Sequence, residues 1–167
     1  MSANQIMIVD ADLSRTEHGD ATVELLNAYS MDPMGDGKPL AESTRQELIP
    51  ALRRHPTTMV FLAYREAEPV GLAICFLGFS TFASRPLVNI HDFYVTPACR
   101  GAGVGRRLLA AVEKRAREMG CCKLSLEVQE NNHRARRVYA AAGFARTMYV
   151  PEAGGSLFFS KTFDAAS

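Results

Sequence analysis

Residues 88–105 read VNIHDFYVTPACRGAGVG, an apolar run followed by a proline and a glycine-rich turn. The run 88–95 is rich in β-branched and aromatic residues and stops before Pro97, a pattern typical of a β-strand. Beyond the glycines, apolar residues recur at helical spacing over residues 103–119. The stretch therefore predicts a strand, a tight turn and a helix in succession.

The turn at residues 100–105, called the cradle below, has the character of an anion site. Unpaired N–H groups converge at a helix N-terminus, and glycines let a phosphate approach them. Arg100 adds a cation with paired donors. A dinucleotide fingerprint needs glycine where Arg106 stands, and a nucleotide-triphosphate loop needs glycine, lysine and a hydroxyl residue over 106–108. Both phosphate motifs are excluded, and the alternative is that the glycines only allow close helix packing.

The rest of the chain surrounds this unit with further strands and helices. Upstream, the patterns predict strands at 5–10, 57–64 and 70–79, helices at 18–30 and 42–54, and loops at 32–39 and 80–86. Pro50 lies inside the second helix and is expected to kink or split it. Downstream, they predict a strand at 124–128, a helix at 132–142 and strands at 144–150 and 157–162. The alternation predicts one α/β domain over residues 1–167.

Composition and cysteine usage narrow the class of protein. The chain has 167 residues, of which 47% are hydrophobic and 22% charged, as in an ordinary globular domain. Its longest apolar run, residues 70–79, is about half the length of a membrane-spanning helix, and no secretory signal pattern begins the sequence. The four cysteines form no CxxC pair or disulfide framework. We expect reduced thiols, no metal site and a cytoplasmic location.

The net charge of +1 is unevenly distributed along the chain. Residues 100–146 contain eleven Lys/Arg and four Asp/Glu, a net of +7, so the remainder carries −6. Such a division suggests a polyanionic ligand on one side and a cationic ligand on the other, although solvated helix faces explain it equally well.

Two segments resemble the GNAT superfamily of N-acetyltransferases. The cradle is similar to the family's Arg/Gln-x-x-Gly-x-Gly/Ala signature at every fixed position. A second family pattern, Val-x-x-x-Asn-x-x-Ala-x-x-Leu-Tyr-x-x-x-Gly-Phe, is matched by Val128, Asn132, Ala135, Val138, Tyr139, Gly143 and Phe144. One position departs, because Val138 replaces the Leu. The resemblance covers residues 88–144, which would form the cofactor core.

The resemblance implies a fold and an activity. The fold would be a single mixed, largely antiparallel twisted sheet of about six to seven strands, flanked by about four helices and splayed between the fourth and fifth strands. The activity would be acetyl transfer from acetyl-CoA to a primary amine of a small molecule, by direct attack in a ternary complex. Acetylation of a protein or peptide, and a non-catalytic coenzyme A-binding module, are the alternatives. No nucleic-acid or membrane partner is expected, and a homodimer is open because family members often dimerise.

The resemblance also assigns roles to individual residues. The backbone of the preceding strand would pair with the pantetheine arm, the cradle would hold the pyrophosphate, and Asn132 would contact the arm or only cap its helix. The expected coenzyme-binding residues are Phe93, Tyr94, Val95, Arg100, Gly101, Ala102, Gly103, Val104, Gly105, Arg106, Asn132 and Tyr139. The hydroxyl of Tyr139 would also act catalytically, as the acid that protonates the departing thiolate.

A proton acceptor is needed as well, because an ammonium must lose a proton before it can attack. His91 is the first candidate, since imidazole in water titrates near pH 6.5, and Asp92 is the second. Strand alternation places Asn89, His91, Phe93 and Val95 on one face and Asp92 and Tyr94 on the other, unless a bulge intervenes.

Overall fold

A computed structural model describes residues 5–148 and 150–163, and within them a five-stranded sheet is flanked by four α-helices. The strands, in their order across the sheet, are β1 (Ile6–Asp10), β2 (Thr58–Arg65), β3 (Glu68–Ser80), β4 (Arg85–Val95) and β5 (Leu124–Leu126). The helices are α1 (Thr16–Met31), α2 (Glu42–Arg54), α3 (Val104–Glu118) and α4 (His133–Ala141). In the described ranges, no helix has the length and apolar character that crossing a bilayer requires.

The sheet is an antiparallel meander with one parallel addition. Strands β1 to β4 pair antiparallel in sequence order, and α3 then carries the chain back so that β5 pairs with β4 in parallel. Side chains on one face of the sheet pack with α1 and α2, so that Leu72 of β3 and Leu25 of α1 lie in one core cluster. Side chains on the other face pack with α3 and α4, so that Cys75 of β3 and Leu108 of α3 lie in a second cluster. Burial raises the pKa of the Cys75 thiol to about 12, so this thiol stays protonated inside the sheet.

The parallel pair covers only the first part of β4. Val88 pairs with Leu124 and Ile90 with Leu126, after which β5 ends while β4 continues to Val95. Pairing between the fourth and fifth strands therefore stops at Ile90 and Leu126, and the expected splay of the two strands stays a prediction. Over residues 91–95, the edge of β4 away from β3 has no strand partner in the described part of the chain, and the space beside it is called the gap between β4 and β5 below.

The two strands expected at 144–150 and 157–162 are not present in the described residues, and residue 149 of the first lies outside them. The sheet has five strands, so the expectation of six to seven is wrong for this part of the chain. Leu157 and Phe159 are 76% and 84% exposed. Alternating apolar residues make a strand only where a neighbouring strand accepts their backbone hydrogen bonds, and no ladder forms here.

Helix α2 contains Pro50 and nevertheless runs without a break, so the expected split does not occur. Proline removes one helical hydrogen bond, which leaves the carbonyl of Gln46 without its N–H donor. Gln46 lies on the exposed side of α2, where water can bond that carbonyl.

Close contact between β3 and α3 depends on Gly71. A Cβ at this position would lie 2.9 Å from Leu108 Cδ1 and 3.2 Å from both Ala63 Cβ and Val104 Cγ1.

We expect Gly71→Ala to lower the free energy of unfolding by about 1–3 kcal/mol, because the added methyl overpacks the core. The measurement is chemical denaturation, with Gly19→Ala in α1 as the control. There the Cβ would sit 3.5 Å from Ile49, an ordinary contact. A helical alanine should therefore raise stability by about 0.5–1 kcal/mol. A free energy of unfolding that is the same in Gly71→Ala as in the wild type would contradict this packing.

Candidate active site

A β-bulge in β4 lies where the strand leaves β5. Asp92 is opposite Ile74 on β3, whereas Cys75 is opposite Ile90, so His91 is the extra residue of the bulge. Strict alternation therefore stops after Ile90. The exception allowed in the sequence-based expectation, a bulge, is present, so His91 does not share a face with Phe93 and Val95.

The bulge places both candidate bases on the face covered by α1 and α2. The His91 ring lies edge-on to Phe76 with the centroids 5.6 Å apart, and Phe76 packs in that face's core. His91 Nδ1 is 3.1 Å from Asp92 Oδ2. The His91 side chain is 63% exposed and that of Asp92 23%. The carboxylate therefore lies where it can orient an imidazole that is largely exposed.

Tyr139 approaches the same gap from α4. Its ring packs between Phe93, at a centroid distance of 5.8 Å, and Phe144, at 5.9 Å, and the residue is only 8% exposed. Burial, followed by the nearby Tyr29 hydroxyl, raises the pKa of Tyr139 above the ordinary tyrosine value. The phenol therefore keeps its proton at neutral pH, as a proton donor must.

The cradle has the backbone geometry of an anion site. Gly101 and Gly103 have φ values of +84° and +80°, a left-handed conformation that glycine adopts without strain. The first helical hydrogen bond of α3 runs from Arg107 N–H to the Gly103 carbonyl. Within the described ranges, the N–H groups of residues 103–106 have no acceptor in the protein. These donors lie together at a helix N-terminus, where the helix dipole favours an anion.

Two of the predicted coenzyme-binding residues, Arg100 and Arg106, carry cations at the cradle, and their guanidinium groups have different surroundings. Arg100 donates from Nε to the Val95 carbonyl at 2.8 Å and from Nη2 to Asp32 Oδ2 at 2.6 Å. By contrast, Arg106 Nη2 lies 3.8 Å from the point that a Cβ on Gly103 would occupy. The guanidinium nearest the cradle glycines is therefore that of Arg106. Direct phosphate contact by Arg100 stays a prediction. It would have to use the N–H donors of Arg100 that do not already bond Val95 or Asp32.

Asn132 caps α4. Its Oδ1 accepts a hydrogen bond from Ala135 N–H at 3.1 Å, which satisfies one of the free donors of the first turn. Capping thus accounts for the side-chain oxygen, and a contact to the pantetheine arm stays a prediction for the amide nitrogen.

Two further residues reach the site from the segment after β1. Tyr29, in the last turn of α1, packs on the Tyr94 ring at 5.8 Å. Burial first, then the charges of Asp92 and Asp32, raise the pKa of Tyr29. Burial alone would raise the pKa of Asp32, but hydrogen bonds from Arg100 and the Met34 amide outweigh it and lower that pKa. No sequence pattern marks either residue, since the Asp32–Arg100 contact spans 68 positions.

Comparison with known proteins finds one family. Residues 22–144 match the model of the Acetyltransferase (GNAT) family. The chain is 36% identical over 98 residues to an uncharacterized N-acetyltransferase of Archaeoglobus fulgidus, covering 58% of this chain and 64% of that protein. It is 30% identical over 115 residues to an aminoglycoside N(6')-acetyltransferase type 1 of Stenotrophomonas maltophilia, covering 67% and 75% respectively. The chain spans between 43% and 64% of the length of the first three curated relatives it matches.

Solved structures share the fold over nearly the whole chain. A probable acetyltransferase superposes with a TM-score of 0.74 at 24% identity, covering 96% of this chain and 99% of that one. AAC(6')-Iy in complex with the bisubstrate analog CoA-S-monomethyl-acetylneamine superposes with a TM-score of 0.74 at 18% identity, covering 95% and 99%. At these identities the likeness shows the fold.

Proposed function

Because the chain belongs to the GNAT acetyltransferase family, we propose that it moves an acetyl group from acetyl-CoA to a primary amine of a small molecule, by direct attack in a ternary complex. One observation carries this proposal. Beyond the last residue that pairs with β5, the open edge of β4 runs from the His91–Asp92 pair toward the cradle, with Tyr139 packed against Phe93 between them.

The residues at this gap fit acetyl-CoA. The free N–H groups of 103–106 and the guanidinium of Arg106 suit a pyrophosphate. The edge of β4 at 93–95 would take the two amides of the pantetheine arm as an added strand. When bound, acetyl-CoA supplies a thioester that an amine can attack.

Two proton transfers would then be carried out by side chains of this protein. His91, oriented by Asp92, accepts the proton that the acceptor ammonium must lose. Tyr139, kept protonated by burial, donates a proton to the sulfur of the departing coenzyme. The two groups come from different elements, β4 and α4, and pack on opposite faces of the sheet, so each would act on its own proton.

A cationic acceptor is favoured by the side chains on the α1 side of the gap. The Asp32 carboxylate is paired with Arg100, whereas the Asp92 carboxylate, among the described residues, faces only the His91 imidazole and also acts on the Tyr29 hydroxyl, so Asp92 is the charge on this side that an acceptor cation would meet. An alkylammonium is stabilised in such surroundings. Relatives that bear names of amine acetyltransferases include the aminoglycoside N(6')-acetyltransferase of Stenotrophomonas maltophilia and the thialysine N-epsilon-acetyltransferase of Bos taurus.

The test is release of free coenzyme A across an amine panel. The panel contains an aminoglycoside, thialysine, a linear diamine, a peptide with a free N-terminus and a peptide with an internal lysine. We expect turnover on at least one small amine and little on either peptide. Faster turnover on a peptide would replace the small-molecule acceptor with a protein acceptor. Tight coenzyme A binding without turnover on any amine would indicate a non-catalytic binding module.

The two candidate bases can be separated by mutation. We expect His91→Gln to lower kcat/KM by about a hundredfold at neutral pH and Asp92→Asn to lower it by about tenfold, since the first removes the proton acceptor and the second only its orientation. Steady-state kinetics on the best amine measure both. His55→Gln is the matched control, because the His55 ring packs on Phe76 as His91 does, with the centroids 5.0 Å apart. A greater loss in Asp92→Asn than in His91→Gln would make Asp92 the base.

A further inference from the structure

The loop that follows α1, residues 32–37, is attached to both sides of the gap between β4 and β5. On the β4 side, Asp32 pairs with Arg100 at 2.6 Å. On the β5 side, Gln129 Nε2 donates to the Met34 carbonyl at 3.2 Å. The loop therefore contacts the segment after β4 and the segment after β5, and it lies next to Tyr29 at the end of α1.

The contact on the β4 side is the more buried of the two. The side chains of Asp32 and Arg100 are 9% and 24% exposed, whereas the Gln129 contact is exposed. Arg100 is also fixed by the Val95 carbonyl and lies over the Tyr94 ring, with 5.5 Å between its Cζ and the ring centroid. Three contacts thus hold this guanidinium in one place, and a charged hydrogen bond of this kind is strong when water is largely excluded.

The loop itself is folded tightly against the end of α1. Asp32 accepts a hydrogen bond from the Met34 amide, and the Gly37 amide donates to the Ser30 carbonyl. A Cβ on Gly35 would lie 2.2 Å from the Tyr29 carbonyl oxygen, so the backbone approaches α1 as closely as glycine permits. A displacement of Asp32 would therefore move the 32–37 loop and Tyr29 together.

We propose that Arg100 is a positioning residue, whose ion pair with Asp32 holds the 32–37 loop and Tyr29 at the correct distance from the cradle. Arg100 is the first residue of the cradle, so the same side chain connects the coenzyme turn with the wall that faces the acceptor. The connection between Arg100 and the loop is inferred from the contacts alone. Its effect on the acceptor amine rests on the proposed acetyl transfer. It gives Arg100 a role that the cradle motif does not indicate.

The existence of this connection is tested without an activity assay. Hydrogen exchange of the peptide covering 33–38 is measured in the wild type, Arg100→Met, Asp32→Asn and the double variant. We expect exchange in this peptide to accelerate by about tenfold in each single variant and no further in the double variant, because both remove the same interaction. Arg117→Met is the matched control, since Arg117 pairs with Glu113 on the exposed side of α3. It should leave the 33–38 peptide unchanged.

The consequence is tested by separating acceptor binding from coenzyme binding. In Arg100→Met and Asp32→Asn alike, we expect the KM of the best amine to rise by about tenfold while the Kd for coenzyme A changes by less than about threefold. Gln129→Ala should produce a smaller rise in the same KM, because its contact with the loop is exposed.

Two results would overturn the inference. Unchanged exchange of the 33–38 peptide in Arg100→Met would show that the ion pair does not hold the loop. A large increase in the coenzyme A Kd in Arg100→Met but not in Asp32→Asn would show that Arg100 binds the coenzyme directly. Since exchange and coenzyme binding need no acceptor, both results can be obtained even if no amine is acetylated.

Discussion

Tyr139→Phe should lower kcat by about a hundredfold or more while leaving the Kd for coenzyme A within about twofold, since general acid catalysis contributes factors of this size. The ring would remain between Phe93 and Phe144, so packing is preserved and only the hydroxyl is lost. Calorimetric binding of coenzyme A and steady-state turnover on the best amine measure the two effects separately.

The pH dependence follows from the direction of the Tyr139 pKa shift. Burial raises that pKa, so the phenol stays protonated as the pH rises through neutrality and would lose its proton only above the ordinary tyrosine value of about 10. Tyr139 should therefore cause no loss of kcat between about pH 7 and pH 9.

The control for Tyr139→Phe is Tyr64→Phe, on β2 and away from the gap, which should keep wild-type turnover. Equal loss of coenzyme binding and turnover in Tyr139→Phe would mean that the residue is structural.

Gly103→Val should weaken coenzyme A binding by about a hundredfold or more, since the loss of several charge-assisted hydrogen bonds to a pyrophosphate is costly. Gly103 has a φ of +80° and is the N-cap of α3. A β-branched side chain resists this conformation, so the substitution would turn the cradle N–H groups away from their common point. Calorimetry with coenzyme A and with its 3′-dephosphorylated form measures the loss, which should be similar for both.

The matched control for Gly103→Val is Gly120→Val. Gly120 follows α3 with a φ of +72°, and a Cβ there would meet nothing within 4 Å. The two substitutions therefore impose comparable backbone strain, but only one of them alters the cradle. Gly120→Val should melt at a lower temperature than the wild type and bind coenzyme A normally. If both variants lost binding equally, strain transmitted through α3 would explain the result and the cradle would not.

The elements that sequence reasoning placed well are those specified by local patterns. Apolar spacing predicted a helix at 18–30, observed as Thr16–Met31, and another at 103–119, observed as Val104–Glu118. The family resemblance rested on residues at fixed spacings in the cradle and over residues 128–144, which include α4, and residues 22–144 match that family. These features can be predicted without the tertiary structure, because each depends on residues that are close together in the sequence.

The sequence by itself determined the family, the glycine turn whose free N–H groups form the cradle, and the placement of Tyr139 on the inward face of α4. Only the tertiary structure decided that His91 bulges out of β4 to join Asp92, and that Arg100 turns from the cradle toward Asp32. It also decided that the apolar segment at 157–162 forms no strand. A bulge, an ion pair and a strand each require a partner distant in sequence, and local patterns contain no record of where that partner lies.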